Sequence, residues 1–416
     1  MTATKLAIGA SIDDVKTRLG VAELTRMAFA GVDLGELWND LLEATGLAPG
    51  NTAATMDLSV VAQLLGDPRS GALLQDGALA VNRLYRCATA AGTPKLRLLA
   101  LAGATDIGGN IPIGFLIQGS DVELLTLYIV PGKPLPDPLP EHDVAIVVLG
   151  NSDSMAATLG VMKDLVPAWP RPILNDPEHI VRLQRDSFSE MMRGSPGIAI
   201  PQSARVDRAE LEAVPKGDIG LDALLSDAGF PIIVRPVDSH AGRGLEKVAN
   251  VSELKAYLAE HPEREFFLAP FVDYSGPDGL HRKYRIVFID GRPFACHMAI
   301  ADDWKVWYLN AEMELSEAKR AEEARFMAEF DTDFAVRHAA AFEALAERVD
   351  LDYFGIDCAE TQDGKLLVFE GETALIVHDL DSPELYPYKV GPMRKLFDAF
   401  VAMLHRRSKS RQTEAA

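Results

Sequence analysis

Three acidic residues toward the C-terminal end, Asp357, Glu370 and Glu372, fall in two strand-like runs, Phe354–Ala359 and Lys365–Glu372, that flank Asp363-Gly364. Asp-Gly between two such runs is a strong hairpin signal. With a two-residue turn, Gln362 faces Lys365 and Asp357 comes directly opposite Glu370. Glu372 then shares their face and stands opposite Gly355, because strand side chains alternate with period two. Carboxylates opposed across a ladder repel each other. Their neighbours Ile356, Val368 and Phe369 are apolar, so a freely solvated hairpin is not expected. A hard divalent cation such as Mg²⁺ would remove the repulsion, since it takes carboxylate and phosphate oxygens. Two other arrangements fit the same residues: an exposed edge hairpin, and acids balanced by Arg or Lys from elsewhere in the chain.

A second concentration of chemistry lies upstream. The apolar run Phe230–Pro236 carries a single charge, Arg235, and leads into Val237-Asp238-Ser239-His240-Ala241-Gly242-Arg243-Gly244 and then Leu245–Val248. The small residues among Ser239–Gly244 let backbone N–H groups approach phosphate oxygens with no Cβ in the way. Arg235 would add a fixed positive charge at the strand end. Taken alone, the same pattern also describes an ordinary hairpin turn.

The elements that must position these residues follow from hydrophobic period. Residues 1–92 read as helices, with an apolar-periodic stretch from Asp57, a break at Gly66-Asp67-Pro68 and a second stretch over Leu73–Tyr85. From Leu96 the period changes. Leu96–Leu101, Val122–Val130 and Val144–Leu149 are short apolar runs, and Asn151-Ser152-Asp153 starts a helix over Ser154–Leu165. This alternation predicts a small parallel α/β unit at 93–175. The segment Gly103–Gly109 matches neither GxGxxG nor the Walker pattern and reads as a tight strand-to-helix turn. The informative domain is placed at 176–404, and 405–416 reads as a frayed, disordered polar tail. The alternating charges of Glu317–Glu329 predict a solvated helix. The fold class expected is α/β (α+β).

Composition bounds the function. The 416 residues are 48% hydrophobic and 25% charged, as in ordinary globular domains. Against 61 Asp+Glu there are 41 Lys+Arg, a formal net charge of −20, which argues against a nucleic-acid surface. It leaves room for one cleft whose own cations reverse the local field. Cys87, Cys296 and Cys358 are widely spaced, as expected of free thiols in a reducing compartment. No apolar run reaches the roughly 18 residues that a membrane span needs, and the first residues lack a secretory pattern. A cytoplasmic protein that spans no membrane is expected.

The order of these features resembles the ATP-grasp superfamily over roughly Pro172–Leu404: an Arg-bearing strand, a glycine-rich hairpin, the later strand Lys283–Gly291 with Arg285, and the acidic hairpin. Phe266–Asp273 sits where that family has its adenine-binding interdomain strand. The chain is similar above all to ATP-grasp proteins with helical, often tetratricopeptide-like N-terminal extensions, in which stretches like Trp307–Ala311 and Glu370–Asp379 recur. The resemblance implies a two-lobed ATP-grasp domain behind a small α/β domain, with ATP and Mg²⁺ as cofactors. Backbone groups near Ala269 and Phe271 would hold adenine, and Asp273 the ribose. Arg185 and Arg235 would contact the α- and β-phosphates under a lid of Ser239, His240, Gly242 and Gly244. Arg285 would stabilise the transferred phosphoryl group, and Asp357, Glu370 and Glu372 would bind Mg²⁺. His297, Trp307, Asn310 and His378, with Asp379, would line the acceptor side, although His378 after Ala374–Val377 reads equally as a packed core or rim residue.

Three departures stand out: arginine where the family more often has lysine at 185 and 235, Glu-Gly-Glu in place of Glu-x-Asn at 370–372, and Pro270 where an acidic adenine contact is usual. The activity implied is that of a carboxylate–amine ligase working through an acyl phosphate, on an amino-acid or peptide carboxylate. The alternatives are a kinase or thiol ligase on the same fold, or an inactive nucleotide-binding scaffold. The N-terminal helices could recruit a protein partner, and oligomers are compatible with the chain.

Overall fold

The computed structural model describes residues 6–47, 50–87, 93–226, 229–239 and 242–409. The chain divides into two compact units, one of Met1–Val181, Leu351–Phe354 and Glu372–Ala416, the other of Arg182–Asp350 and Gly355–Gly371.

The first unit is built on a six-stranded sheet. Its central strand, Leu96–Ala102, is an almost continuous buried apolar run, as a parallel strand covered on both faces should be. It pairs in parallel with Val122–Tyr128 on one side and Val144–Val147 on the other, and Ile173–Leu174 extends the second edge. Leu84–Cys87 pairs antiparallel with Val122–Tyr128, and Thr17–Arg18 lies outside it. The expected helices form at Thr52–Leu64 and Pro68–Val81. Asn51 caps the first through the Ala54 N–H, and Asp67 caps the second through the Ser70 N–H with Pro68 in its first turn. Thr52–Leu64 is buried on nearly every side, with Met56, Leu58, Val60 and Val61 in the core.

Three expectations that touch this unit are corrected. Residues 1–92 do not form a separate helical region, because strands at 17–18 and 84–87 belong to the same sheet as the α/β elements that follow. The short, charge-bearing runs Thr17–Arg18 and Leu84–Cys87 carry too little period for a sequence reading to find them. The tail expected from 405 is helical as far as Lys409, the end of the helix Val390–Lys409. His405 holds Asp121 at 2.9 Å and Arg407 holds Asp352 at 2.9 Å, which ties those turns down. This helix belongs to the first unit, so a single domain over 176–404 is not what forms.

The second unit contains two sheets. One is four-stranded and antiparallel, in the order Ala204–Asp207, Glu265–Pro270, Ile232–Pro236, Glu246–Val248. Its inward face buries Leu211, Val234, Leu254, Phe266 and Leu268. The other has five strands, in the order Arg292–Ala301, His281–Ile289, Tyr353–Glu360, Leu366–Glu372, Ile198–Ala199. The first two of these form a hairpin closed by Asp290-Gly291, both at positive φ (52° and 74°), the geometry of a two-residue type I′ turn. Glu317–Glu329 is a helix but not a fully solvated one. Glu323 is completely buried and accepts the Met298 N–H at 3.0 Å. Among the described residues no helix is long and apolar enough to cross a membrane.

Candidate functional site

The strand His281–Ile289 places Lys283 and Arg285 two residues apart, hence on one face. Both reach Asp357 on the neighbouring strand. Lys283 Nζ lies 2.7 Å from Asp357 Oδ2, and Arg285 donates from Nε and Nη2 to the two carboxylate oxygens at 2.8 and 3.0 Å. Asp357 is 1% exposed. Burial pushes its carboxyl toward the protonated form, and Arg285 and Lys283 overcome that and hold it well below the usual carboxylate range. A bulge follows Arg285, which pairs with His297 while Ile286 pairs with Ala295. One extra residue, Cys296, is absorbed there, a device that re-aims side chains next to functional sites.

Arg185 opens the helix Arg185–Met192 and holds the Glu370 carboxylate through Nη2. Burial and the charge of Asp357 work against ionisation of Glu370, while Arg185, Lys283 and Arg235 favour it, and its carboxyl is lowered on balance. Arg235 comes from the end of the interior strand Ile232–Pro236 of the other sheet in this unit. Its guanidinium donates to Oγ of Ser239 at 3.2 Å and to the Ser239 carbonyl. Burial first, and the like charge of Arg185 second, bring its pKa down to about 9. An arginine keeps its proton under such pressure, so the shift marks positive charge that an incoming anion would relieve. The structure therefore gathers Arg185, Arg235, Lys283 and Arg285 around Asp357 and Glu370.

The acidic hairpin differs from its expected register. The Thr361 N–H donates to the Lys365 carbonyl and the Gly364 N–H to the Thr361 carbonyl, each at 2.9 Å, with Gly364 at φ 79°. This is a three-residue turn with Thr361 facing Lys365. Counting outward from it, a regular ladder brings Phe369, not Glu370, opposite Asp357. The repulsion expected between the two acids is met by cations, the third of the arrangements compatible with the sequence. Glu372 belongs to the first unit, where its Oε1 accepts the Ala374 N–H at 3.2 Å and lies 3.1 Å from where a Cβ on Gly150 would stand. Among the described residues, no group of three or more His, Cys, Asp or Glu side chains is placed to hold a metal ion. The pair Asp357 and Glu370 still offers the hard oxygen donors that Mg²⁺ takes together with phosphates.

The glycine-rich segment keeps part of its expected form. Gly242 and Gly244 take positive φ, 69° and 64°, and a Cβ on Gly244 would lie 2.7 Å from Cδ of Pro236. His240 lies outside the described residues. Ala269 pairs with Ile233 within the sheet. The Phe271 N–H is committed to the Pro231 carbonyl at 3.1 Å, so it is not an open donor for adenine. The Phe271 ring instead carries Lys247 Nζ at 3.8 Å from its centroid. Asp273 is exposed and accepts the Ser275 N–H at 3.0 Å.

Among the acceptor-side residues, His297 is brought beside Arg285 by strand pairing. Asn310 closes its own turn, accepting the Trp307 N–H and donating to the Lys305 carbonyl, both at 2.9 Å. Its amide therefore serves as a local cap, while Trp307 is exposed. His378 belongs to the first unit, accepts the Leu380 N–H at 3.2 Å and lies 6.0 Å from the rings of both Phe29 and Phe115. The packed reading of His378 is the one the structure supports. Lys283 was not singled out from sequence, although its period-two relation to Arg285 was there to be read.

No family model matches the chain, and no curated protein does. Solved structures with partial likeness include the VanG D-Ala:D-Ser ligase of Enterococcus faecalis (14% identity, 74% of this chain and 99% of the other, TM-score 0.45). The "RimK domain protein ATP-grasp" of Sphaerobacter thermophilus aligns at 16% identity over 73% of this chain and 99% of its own, with a TM-score of 0.42. The D-alanine-D-alanine ligase of Coxiella burnetii aligns at 12% identity over 77% and 98%, with a TM-score of 0.47.

Proposed function

We propose that this chain is an ATP- and Mg²⁺-dependent enzyme of the ATP-grasp type, which activates a carboxylate as its acyl phosphate and transfers the acyl group to an amine. The observation that carries the proposal is the gathering of cations in the second unit, where Arg185, Arg235, Lys283 and Arg285 surround the two carboxylates Asp357 and Glu370. In a chain of net charge −20 such a reversal of the local field fits a polyphosphate. Mg²⁺ held by Asp357 and Glu370 would supply charge neutralisation to the phosphates. Arg185 would then exchange Glu370 for a phosphate oxygen, and Arg235, pressed by burial and by Arg185, would gain a further anion. Arg285, fixed by Asp357, would face the transferred phosphoryl group, where preorganised positive charge is worth most. An amino-acid or peptide carboxylate is the substrate class we favour.

One observation favours a second reading, a nucleotide-binding protein without turnover: Asp357 and Glu370 already have arginine partners and are balanced without metal. A single assay separates the two. ADP release is followed with a panel of carboxylates and amines, in Mg²⁺ and in excess chelator, beside calorimetry of ATP binding. A ligase gives ADP only with Mg²⁺ and both substrates. ATP binding with no ADP from any pair supports the second reading, and equal ATP affinity with Mg²⁺ and with chelator removes the metal site.

A further inference from the structure

The strand that supplies Lys283 and Arg285 to the cation cluster presents Arg282 and Tyr284 on its opposite face. There they border a cavity of about 640 Å³, within the size range of small-molecule sites. Its walls are pinned. Arg282 is bonded to both Asp278 and Glu322, and Arg337 to both Asp333 and Glu360. Its apolar lining is aromatic, with the rings of Phe326 and Phe334 at 4.9 and 4.7 Å from that of Tyr284.

Three polar groups of this cavity that the fold leaves without a side-chain partner, among the described residues, bear on what it could bind. Tyr284 is 6% exposed, yet among the described residues its hydroxyl has no hydrogen-bond partner. Arg325 and Glu329 both line the cavity, one helical turn apart on Glu317–Glu329, and neither has a side-chain partner among the described residues. Their order, cation before anion along the helix, is the weaker orientation for pairing with each other. The cavity thus offers one positive charge, one negative charge a turn away, an aromatic lining and an unused hydroxyl.

We propose that this cavity binds a free α-amino acid with an aromatic or large apolar side chain, its carboxylate on Arg325, its ammonium on Glu329 and its side chain against Phe326, Phe334 and Tyr284. Residues at i and i+4 lie about 5–6 Å apart at Cβ, and two long side chains can converge on charges separated by one carbon. The two termini of a peptide are too far apart to satisfy both. The site lies on the other face of the sheet from the cation cluster and does not depend on nucleotide chemistry.

The test is calorimetry on the full chain without nucleotide, using L-phenylalanine, 3-phenylpropionate, 2-phenylethylamine and glycyl-L-phenylalanine. L-phenylalanine should bind saturably at one site, with each of the other three weaker by about tenfold or more, the loss of roughly one charged contact. Arg325→Gln and Glu329→Gln, both at exposed positions, should each weaken L-phenylalanine by a similar factor while leaving the melting temperature unchanged. Tyr284→Phe should retain binding with a smaller loss. The proposal is overturned by no L-phenylalanine binding at millimolar concentration, by equal binding of 3-phenylpropionate or the dipeptide, or by binding that survives Arg325→Gln and Glu329→Gln together.

Discussion

Asp357 ionises in a place where burial alone would keep it protonated, and Arg285 and Lys283 tip the balance. Its folded pKa therefore lies below the unfolded value of about 3.9, so the stabilisation it brings is fully present above that value and is lost progressively as pH falls from there through the folded pKa. Asp357→Asn removes the counter-charge of two largely but not fully buried cations and should cost about 3 kcal/mol in urea unfolding at pH 7, the lower end of the usual penalty for stranding a buried charge. The gap between wild type and variant should narrow as pH is lowered below about 4, because the carboxyl then takes up a proton in the unfolded chain while it stays ionised in the folded one. A gap that stays constant down to pH 2 would contradict the ion-pair account. Lys283→Met should cost less than Asp357→Asn, since Arg285 still balances the carboxylate. At this scale the sequence was legible where charge interrupts an apolar run, as with Arg235, Arg285 and Asp357. It was not legible where a side chain's partner comes from far along the chain. The Asn310 amide looks available as a ligand in sequence, and only the folded turn shows both its groups in use.

Two Asp-Gly turns in this chain show why elements are easier to read than their register. Asp290-Gly291 takes positive φ at both residues and closes a two-residue hairpin. In Asp363-Gly364 only the glycine is at positive φ, Thr361 closes the turn, and the ladder shifts by one residue. The dipeptide is the same, and what differs is the Thr361 side chain, whose Oγ1 accepts the Lys365 N–H at 2.9 Å and donates to Asp363. Thr361→Val keeps the shape and removes both bonds, so it should lower stability by about 1 kcal/mol in urea unfolding. An unchanged midpoint would mean that the backbone alone sets this register. The glycine-rich segment allows a matched comparison. Gly242→Ala and Gly244→Ala both place a Cβ at positive φ, a cost of about 1–2 kcal/mol each. Gly244→Ala also drives that Cβ to 2.7 Å from a proline ring carbon, whereas the Gly242 Cβ would meet Lys305 at an ordinary 3.6 Å. Thermal melts should show the larger loss for Gly244→Ala, and equal losses would show that the segment moves aside at Pro236.

The longer elements, such as Leu96–Ala102 and Thr52–Leu64, were visible in period, but the division into units was not, because each unit is assembled from separated stretches of chain. Residues 1–92 are the clearest instance. They contain no phosphate- or metal-type cluster, which predicts from sequence a segment dispensable for ATP binding though needed to recruit a substrate or partner. The structure gives them a different role. Leu84–Cys87 covers the edge of Val122–Tyr128, and Thr17–Arg18 covers Leu84–Cys87 in turn. Asp57, on the buried helix Thr52–Leu64, accepts from Arg18 Nε at 3.0 Å and from the Leu19 and Gly20 N–H groups at 2.8 and 3.1 Å. A chain beginning at residue 93 would expose the ladder groups of Val122–Tyr128, a template for pairing with other chains. It would also strip the cover from Ile107, which packs against the cluster of Leu24, Val60 and Val61. The truncated chain is therefore expected to be insoluble, or to lack the cooperative melt of the full chain. Asp57→Ala in the full chain should fold with a lower urea midpoint, because it leaves Arg18 buried without its counter-charge. Soluble yield and near-UV circular dichroism of the two variants decide the matter. A soluble 93–416 chain with a native-like spectrum and cooperative melt would show that the first 92 residues are an appendage after all, and that the sheet tolerates an open edge.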